Sequence, residues 1–164
     1  ERTESLLSRL ALRQLDVVVC DSPSNSMANV RVFSHKLAST GVAFMASPKL
    51  RLRGKFPQLL DGVPFLMAEA NTPLRSALEY WLEKSGVQPK VVGEFSDAGL
   101  MESFAQDGAG VIAIPSPIER EMQARFKFAV LGRTTAVKQA FYAITADRNP
   151  SNPLLMAILK RGLR

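Results

Sequence analysis

Apolar positions along the chain follow two alternating rhythms, one helical and one extended. Leu6, Leu7 and Leu10 with Ala11 mark one face of a helix. Thr3 is placed to cap this helix, which is expected to end near Gln14. Leu15 to Cys20, apolar apart from Asp16 and with three consecutive valines, reads as a strand covered on both faces in a parallel sheet. Asp21-Ser22-Pro23 supplies turn chemistry at its carboxyl end. Further strands are expected at Val30 to Phe33 and Gly41 to Ser47. The Lys/Arg/Gly/Pro stretch from Lys49 to Pro57 breaks the pattern and is a candidate crossing or linker.

From Pro64 the rhythm is regular. Pro64 to Glu69 reads as a strand, and Leu74, Ala77, Leu78, Trp81 and Leu82 then repeat at helical spacing. Thr72 as N-cap, Pro73 at the first helical position and Gly86 past the end frame that helix. Lys90 to Phe95 is the next predicted strand. Ser96-Asp97 opens a helix whose predicted apolar face is Leu100, Met101 and Phe104 and whose stop is Gly108. Ala109 to Pro115 is a predicted buried strand, and Ser116-Pro117-Ile118-Glu119 reads as a capping box for a short helix through Met122. Strands follow at Phe126 to Leu131 and Ala140 to Ala146, separated at Thr134-Thr135. A capped helix from Asn152-Pro153 to about Arg161 closes the pattern. Alternating strands and helices with short connections predict an α/β fold with mostly parallel strands. The break at Lys49 to Pro57 and the returning strand at Ala140 predict two lobes, one of residues 1–46 with 133–164 and the other of 47–132.

Composition narrows the function classes. The 164 residues are 46% apolar and 22% charged, ordinary values for a packed domain. No apolar run approaches the roughly 18 residues of a membrane helix. The charged start gives no sign of an export signal, so the cytoplasm is the expected compartment and no membrane partner is expected. A single cysteine, Cys20, and a single histidine, His35, leave little for a disulfide, a zinc cluster or a triad. Neither a metal nor a cofactor is expected, and no enzymatic activity is. The net charge of +6 comes from scattered residues without interleaved aromatics, so the chain alone is expected to bind DNA only weakly and without sequence preference.

The candidate chemistry sits where strands run into helices. Asn71-Thr72, Ser96-Asp97 and Ser116 would lie at the carboxyl edge of an open α/β sheet, where unpaired backbone N–H groups and helix dipoles favour a polar ligand. Gly108-Ala109-Gly110 ends a helix and precedes a strand, the reverse of the order that a dinucleotide or phosphate loop requires.

Taken in order, these segments are familiar. Leu15-Asp16-Val17-Val18-Val19-Cys20-Asp21-Ser22-Pro23 resembles the "LDLAI-D-P" strand of LysR-type transcriptional regulators, and Gly108 to Pro115 resembles their "G-x-G-I-x-x-x-P" strand. Gly93 to Phe104 is similar to the corresponding stretch of the subgroup named for activating sodium/proton antiporter genes. That subgroup often carries an aspartate pair where this chain has Ser96-Asp97. The resemblance implies a regulatory, effector-binding domain with a two-lobed, periplasmic-binding-protein-like (type 2) fold, its first lobe lacking its opening strands. It further implies a homodimer or homotetramer, and DNA contact only through an N-terminal winged helix-turn-helix outside these residues. The self-associating surfaces are expected on the Leu6 to Arg13 and Leu100 to Phe104 helices. The effector would be a small polar molecule or ion between the lobes, and the residues matching that lining are Asp21, Ser22, Asn71, Thr72, Ser96, Asp97 and Ser116. A stand-alone solute-binding protein, or an enzyme on the same scaffold, would be the other readings.

Overall fold

A computed structural model describes residues 3–24, 26–27, 30–70, 72–150 and 152–161. The chain divides into two compact units, residues 1–39 with 140–164 and residues 40–139. It passes between them at 39–40 and 139–140, inside two long strands, β4 (Phe33–Ala46) and β8 (Ala129–Thr145).

In the first unit, α1 (Thr3–Ala11) buries Leu7 and Leu10 and stops where Arg13 takes a positive φ of 59°. There the Gln14 N–H reaches back to the Arg9 carbonyl at 2.9 Å, a helix-closing bond that a left-handed residue makes possible. Leu7 and Leu10 pack with Val18, Val32 and Ile144. The Arg13 guanidinium forks onto both carboxylate oxygens of Asp147 at 2.6 and 3.0 Å, and this hydrogen bonding holds the Asp147 carboxyl below its ordinary range. A short hairpin, β2 (Ser26–Met27) with β3 (Val30–Arg31), precedes β4, and α5 (Pro153–Arg161) follows β8. Asn152 Oδ1 accepts the Leu154 N–H at 2.9 Å and so caps α5 as expected.

Three readings of strands need correction. β1 (Val18–Cys20) is not a parallel strand buried on both faces: it pairs antiparallel with β8, Val18 opposite Ile144 and Cys20 opposite Tyr142, at the end of the order β1-β8-β4-β7. Val18 is buried in the apolar cluster and Cys20 packs against it, whereas Val19 between them is 52% exposed. The strand expected at Val30 to Phe33 corresponds to β3 and the first residue of β4, and the one at Gly41 to Ser47 is the end of the 14-residue β4, which also runs through the polar stretch Ser34-His35-Lys36. Thr134-Thr135 does not break the chain either. β8 runs through it for 17 residues, as β-branched threonines on a half-exposed strand allow.

The second unit is a sheet covered on both faces. β5 (Pro64–Ala68) and β6 (Lys90–Phe95) are parallel, while β4 and β7 (Ile112–Pro115) are antiparallel. A parallel bridge between Phe65 and Val111 joins β5 to the chain entering β7. The expectation of mostly parallel strands thus gives way to a mixed arrangement. Strand alternation sorts side chains between two clusters. Val42, Phe44, Phe65, Met67, Val111 and Ala113 join Leu78 and Leu82 of α2 (Pro73–Lys84). Ala43, Met45, Leu66, Ile112 and Ile114 join Met101 and Ala105 of α3 (Ala98–Gln106) and Met122 of α4 (Glu119–Phe126). The Lys49 to Pro57 stretch lies within this unit and packs Leu50, Leu52 and Phe56 against its core.

α2 has the boundaries its pattern predicts, with Gly86 at φ 65° just beyond it. α3 differs in its face: Met101 and Ala105 are buried, whereas Leu100 is 52% and Phe104 49% exposed. Ser116 forms no capping box. It begins a 3-10 turn, Ser116–Ile118, and α4 starts without a side-chain cap. Glu119 instead receives Arg133 at 2.6 and 2.7 Å. That hydrogen bonding holds the Glu119 carboxyl below its usual value. A carboxyl lowered on folding contributes stability above its unfolded pKa and loses it as pH falls through the folded value. Arg133→Gln should therefore lower the urea midpoint slightly at pH 7, with the difference from wild type closing as pH falls through the lowered Glu119 value. Among the described residues, no helix is long and apolar enough to cross a membrane.

Candidate functional site

Strand direction determines which of the expected site residues share an edge. Ala68 of β5 pairs with Phe95 of β6, so these parallel strands end side by side, and the Glu69 N–H extends the pairing to the Phe95 carbonyl at 2.9 Å. β7 follows a segment bridged in parallel to β5, with Leu66 N–H to Val111 O at 2.9 Å and Val111 N–H to Pro64 O at 2.8 Å. Thr72, Ser96 with Asp97, and Ser116 thus follow the carboxyl ends of strands that run in one direction. Asn71 lies outside the described residues. Asp21 and Ser22 belong to the other unit, where both are half-buried, and the Ser22 hydroxyl donates to Asp21 Oδ1 at 3.2 Å. The Cys20 thiol donates to the Ser22 carbonyl at 3.0 Å, and burial pushes the thiol pKa up.

The polar atoms at the edge are partly committed. Thr72 Oγ1 accepts the Arg75 N–H at 3.2 Å and donates to the Glu69 carbonyl at 3.5 Å. Asp97, not Ser96, is the N-cap of α3, with Oδ1 accepting the Leu100 N–H at 2.7 Å. Its carboxylate makes this a charge-assisted cap. Ser96 is exposed. Each cap satisfies one first-turn amide, so Leu74 in α2 and Ala98 and Gly99 in α3 keep N–H groups that no intrahelical acceptor can reach. Those amides, with the helix dipoles behind them, are what this edge offers an anion.

Arg75 is the residue that the sequence reading missed. Its side chain is only 11% exposed. Nη1 donates to the Ala68 carbonyl at 2.8 Å, Nη2 to Glu94 Oε1 at 2.9 Å and Nε to Glu79 Oε1 at 2.5 Å. Burial works against its charge, and the bonds to Glu79 and Glu94 more than offset this, leaving its pKa raised. The signal was present: an arginine three positions after an N-cap opposes the helix dipole and so needs partners. It locks the last residue of β5 to β6 and α2. Beneath it, Leu66, Met67, Leu74, Leu78, Met101 and Ala113 help line a cavity of about 30 Å³, no larger than one water.

Comparison with known proteins then decides the family. The family model described as the LysR substrate binding domain matches residues 1–161. The chain belongs to the LysR substrate-binding domain family. This is a family of ligand-binding domains and not of enzymes. The chain is similar to the transcriptional activator protein NhaR of Escherichia coli, with 26% identity over 155 residues covering 94% of the chain. It spans about half, 51%, of that relative's length. The fold is also that of solved LysR-type proteins. Vibrio fischeri DarR in complex with DNA matches at a TM-score of 0.71 and 14% identity, over 97% of this chain and 55% of that one. The regulatory domain of Synechocystis CcmR in complex with 2-PG matches at 0.65 and 16%, over 96% and 76%. LysR regulatory domains are mixed α/β, and that coarse class describes this chain.

Proposed function

We propose that this LysR substrate-binding domain senses a small polar molecule or ion for a DNA-binding transcriptional regulator. The family match over residues 1–161 carries the reading. The parallel strand ends that bring Thr72, Ser96, Asp97 and Ser116 to one edge support it. The comparison proteins point the same way, since NhaR is named a transcriptional activator, the CcmR domain holds 2-PG and DarR is in complex with DNA. The two units are taken as the two lobes of a periplasmic-binding-protein-like domain. Effector contacts are assigned to Thr72, Ser96, Asp97 and Ser116 of the 40–139 unit. The effector is assigned as an anion such as a carboxylate, because Asp97 is occupied as a cap while the Leu74, Ala98 and Gly99 amides are fixed donors. DNA reading is assigned to protein outside this chain. Self-association is assigned to helix surfaces, with the exposed Leu100 and Phe104 of α3 as contacts.

Calorimetric screening of carboxylates and alkali cations against wild type, Thr72→Val and Thr72→Ser tests the site. Valine removes both the cap, worth about 1 kcal/mol of helix stability, and the polar contact. Serine keeps both. Affinity for the stabilising carboxylate should fall about tenfold in the valine variant and stay near wild type in the serine variant. Unchanged affinity in Thr72→Val would remove Thr72 from the site, and with it the strand-end assignment.

A further inference from the structure

A cavity of about 410 Å³ opens on the unit made of residues 1–39 and 140–164, lined by Arg31, Val32, Phe33, Ser34, His35 and Arg148. Its charge is one-sided. Two arginines and a histidine line it, and among the described residues none that lines it is acidic. Asp147, the carboxylate next in the chain to Arg148, is taken by Arg13 through both of its oxygens. Among the described residues, neither Arg31 nor Arg148 has a carboxylate partner.

The remaining hydroxyl groups are already occupied. Ser34 Oγ is held by the Ser24 backbone, accepting its N–H at 2.9 Å and donating to its carbonyl. His35 Nε2 lies 2.9 Å from Thr145 Oγ1, whose one hydrogen goes to the Asp147 carbonyl at 2.7 Å. Nε2 is therefore the donor in that pair, which in the neutral ring leaves Nδ1 an acceptor, so the donors for an anion are those of the two arginines. The Arg31 guanidinium sits 5.5 Å from the centroid of the Phe33 ring, a contact that steadies the planar group while leaving its N–H edges available. The volume falls within the range of small-molecule sites, about 300–1,000 Å³.

We propose that this cavity is an anion site, holding a small dianion, a phosphate monoester or a dicarboxylate, between Arg31 and Arg148. Two guanidinium groups without counter-charge match a dianion better than a monoanion, and their forked donors suit phosphate and carboxylate oxygens alike. The site lies on one unit and uses none of the strand-end residues assigned to the effector, so it stands or falls separately from that assignment.

Titration calorimetry of the chain with inorganic phosphate, and separately with succinate, at about 0.01 M ionic strength tests it, since weak surface attractions are least screened there. Saturable binding is expected with one or both probes. Arg31→Gln and Arg148→Gln should each weaken it about tenfold or more. An Arg31→Lys/Arg148→Lys double variant, with charge kept but the fork lost, should fall between wild type and the glutamine variants. Arg53→Gln, at an exposed position of the other unit, should bind phosphate as wild type does. The proposal is overturned by no saturable binding of either probe up to about 10 mM, which leaves less than about 3 kcal/mol of affinity. It is equally overturned if an Arg31→Gln/Arg148→Gln variant with wild-type circular dichroism binds unchanged, or if affinity is lost in Thr72→Val instead. A short DNA duplex that displaces phosphate and binds more tightly would replace the small-molecule source with a nucleic-acid backbone and sink the assignment as stated.

Discussion

Replacing Phe44 with alanine should destabilise the chain by about 3–5 kcal/mol, the range for deleting a large buried aromatic. Phe44 is fully buried on β4, and its ring centre lies 5.0 Å from Trp81, 5.2 Å from Phe56 and 6.2 Å from Phe65. Phe56 and Trp81 stack on each other at 5.6 Å. Removing the central ring therefore loses its transfer free energy and also empties a space that three neighbours cannot all collapse into, since two of them brace each other. The loss should appear as a lower urea midpoint with an unchanged slope, and Val91→Ala, at an exposed position on β6, should move the midpoint little. A Phe44→Ala midpoint within experimental scatter of wild type would mean that this cluster is not the core of the 40–139 unit.

Gly41→Ala should also be damaging, at the upper end of the roughly 1–3 kcal/mol range for overpacking. A Cβ built on Gly41 would stand 2.5 Å from the Thr134 carbonyl oxygen and 3.3 Å from Thr135 Cα. Both are backbone atoms of β8, so no rotamer change relieves the clash and one strand must move. Gly41 lies two residues inside the unit boundary at 39–40, where β4 leaves one unit for the other. A stability equal to wild type would show that β4 and β8 do not approach so closely at this point in solution.

Legibility in the sequence followed burial. α2 was readable because each of its devices is local: Thr72 caps, Pro73 opens, Gly86 ends, and the apolar stripe has a period of 3.6. The long strands β4 and β8 were not, because their middle portions are half-exposed and polar, and period-2 alternation disappears where neither face is a core. The valine run of β1 misled for the opposite reason. Apolar content reports an affinity for burial, while the neighbour that provides it comes from elsewhere in the chain, here β8 on one side only. At the site, the strand-end hydroxyls were legible as positions but not as roles. Asp97 rather than Ser96 is the cap, and Glu119 leaves the predicted capping box for Arg133. Arg75 was passed over because its partners Ala68 and Glu94 lie seven and nineteen residues away, beyond any local pattern.

The most direct measurement is amide hydrogen exchange of the chain with and without the carboxylate that stabilises it most in the calorimetric screen. The Leu74, Ala98 and Gly99 amides have no intrahelical acceptor and are the donors assigned to the effector. Binding should slow exchange in the peptides carrying residues 72–76 and 97–101, with a lesser effect along the rest of α2 and α3. A ligand that stabilises the chain while leaving exchange in both segments unchanged would contradict the assignment of this edge as the effector site.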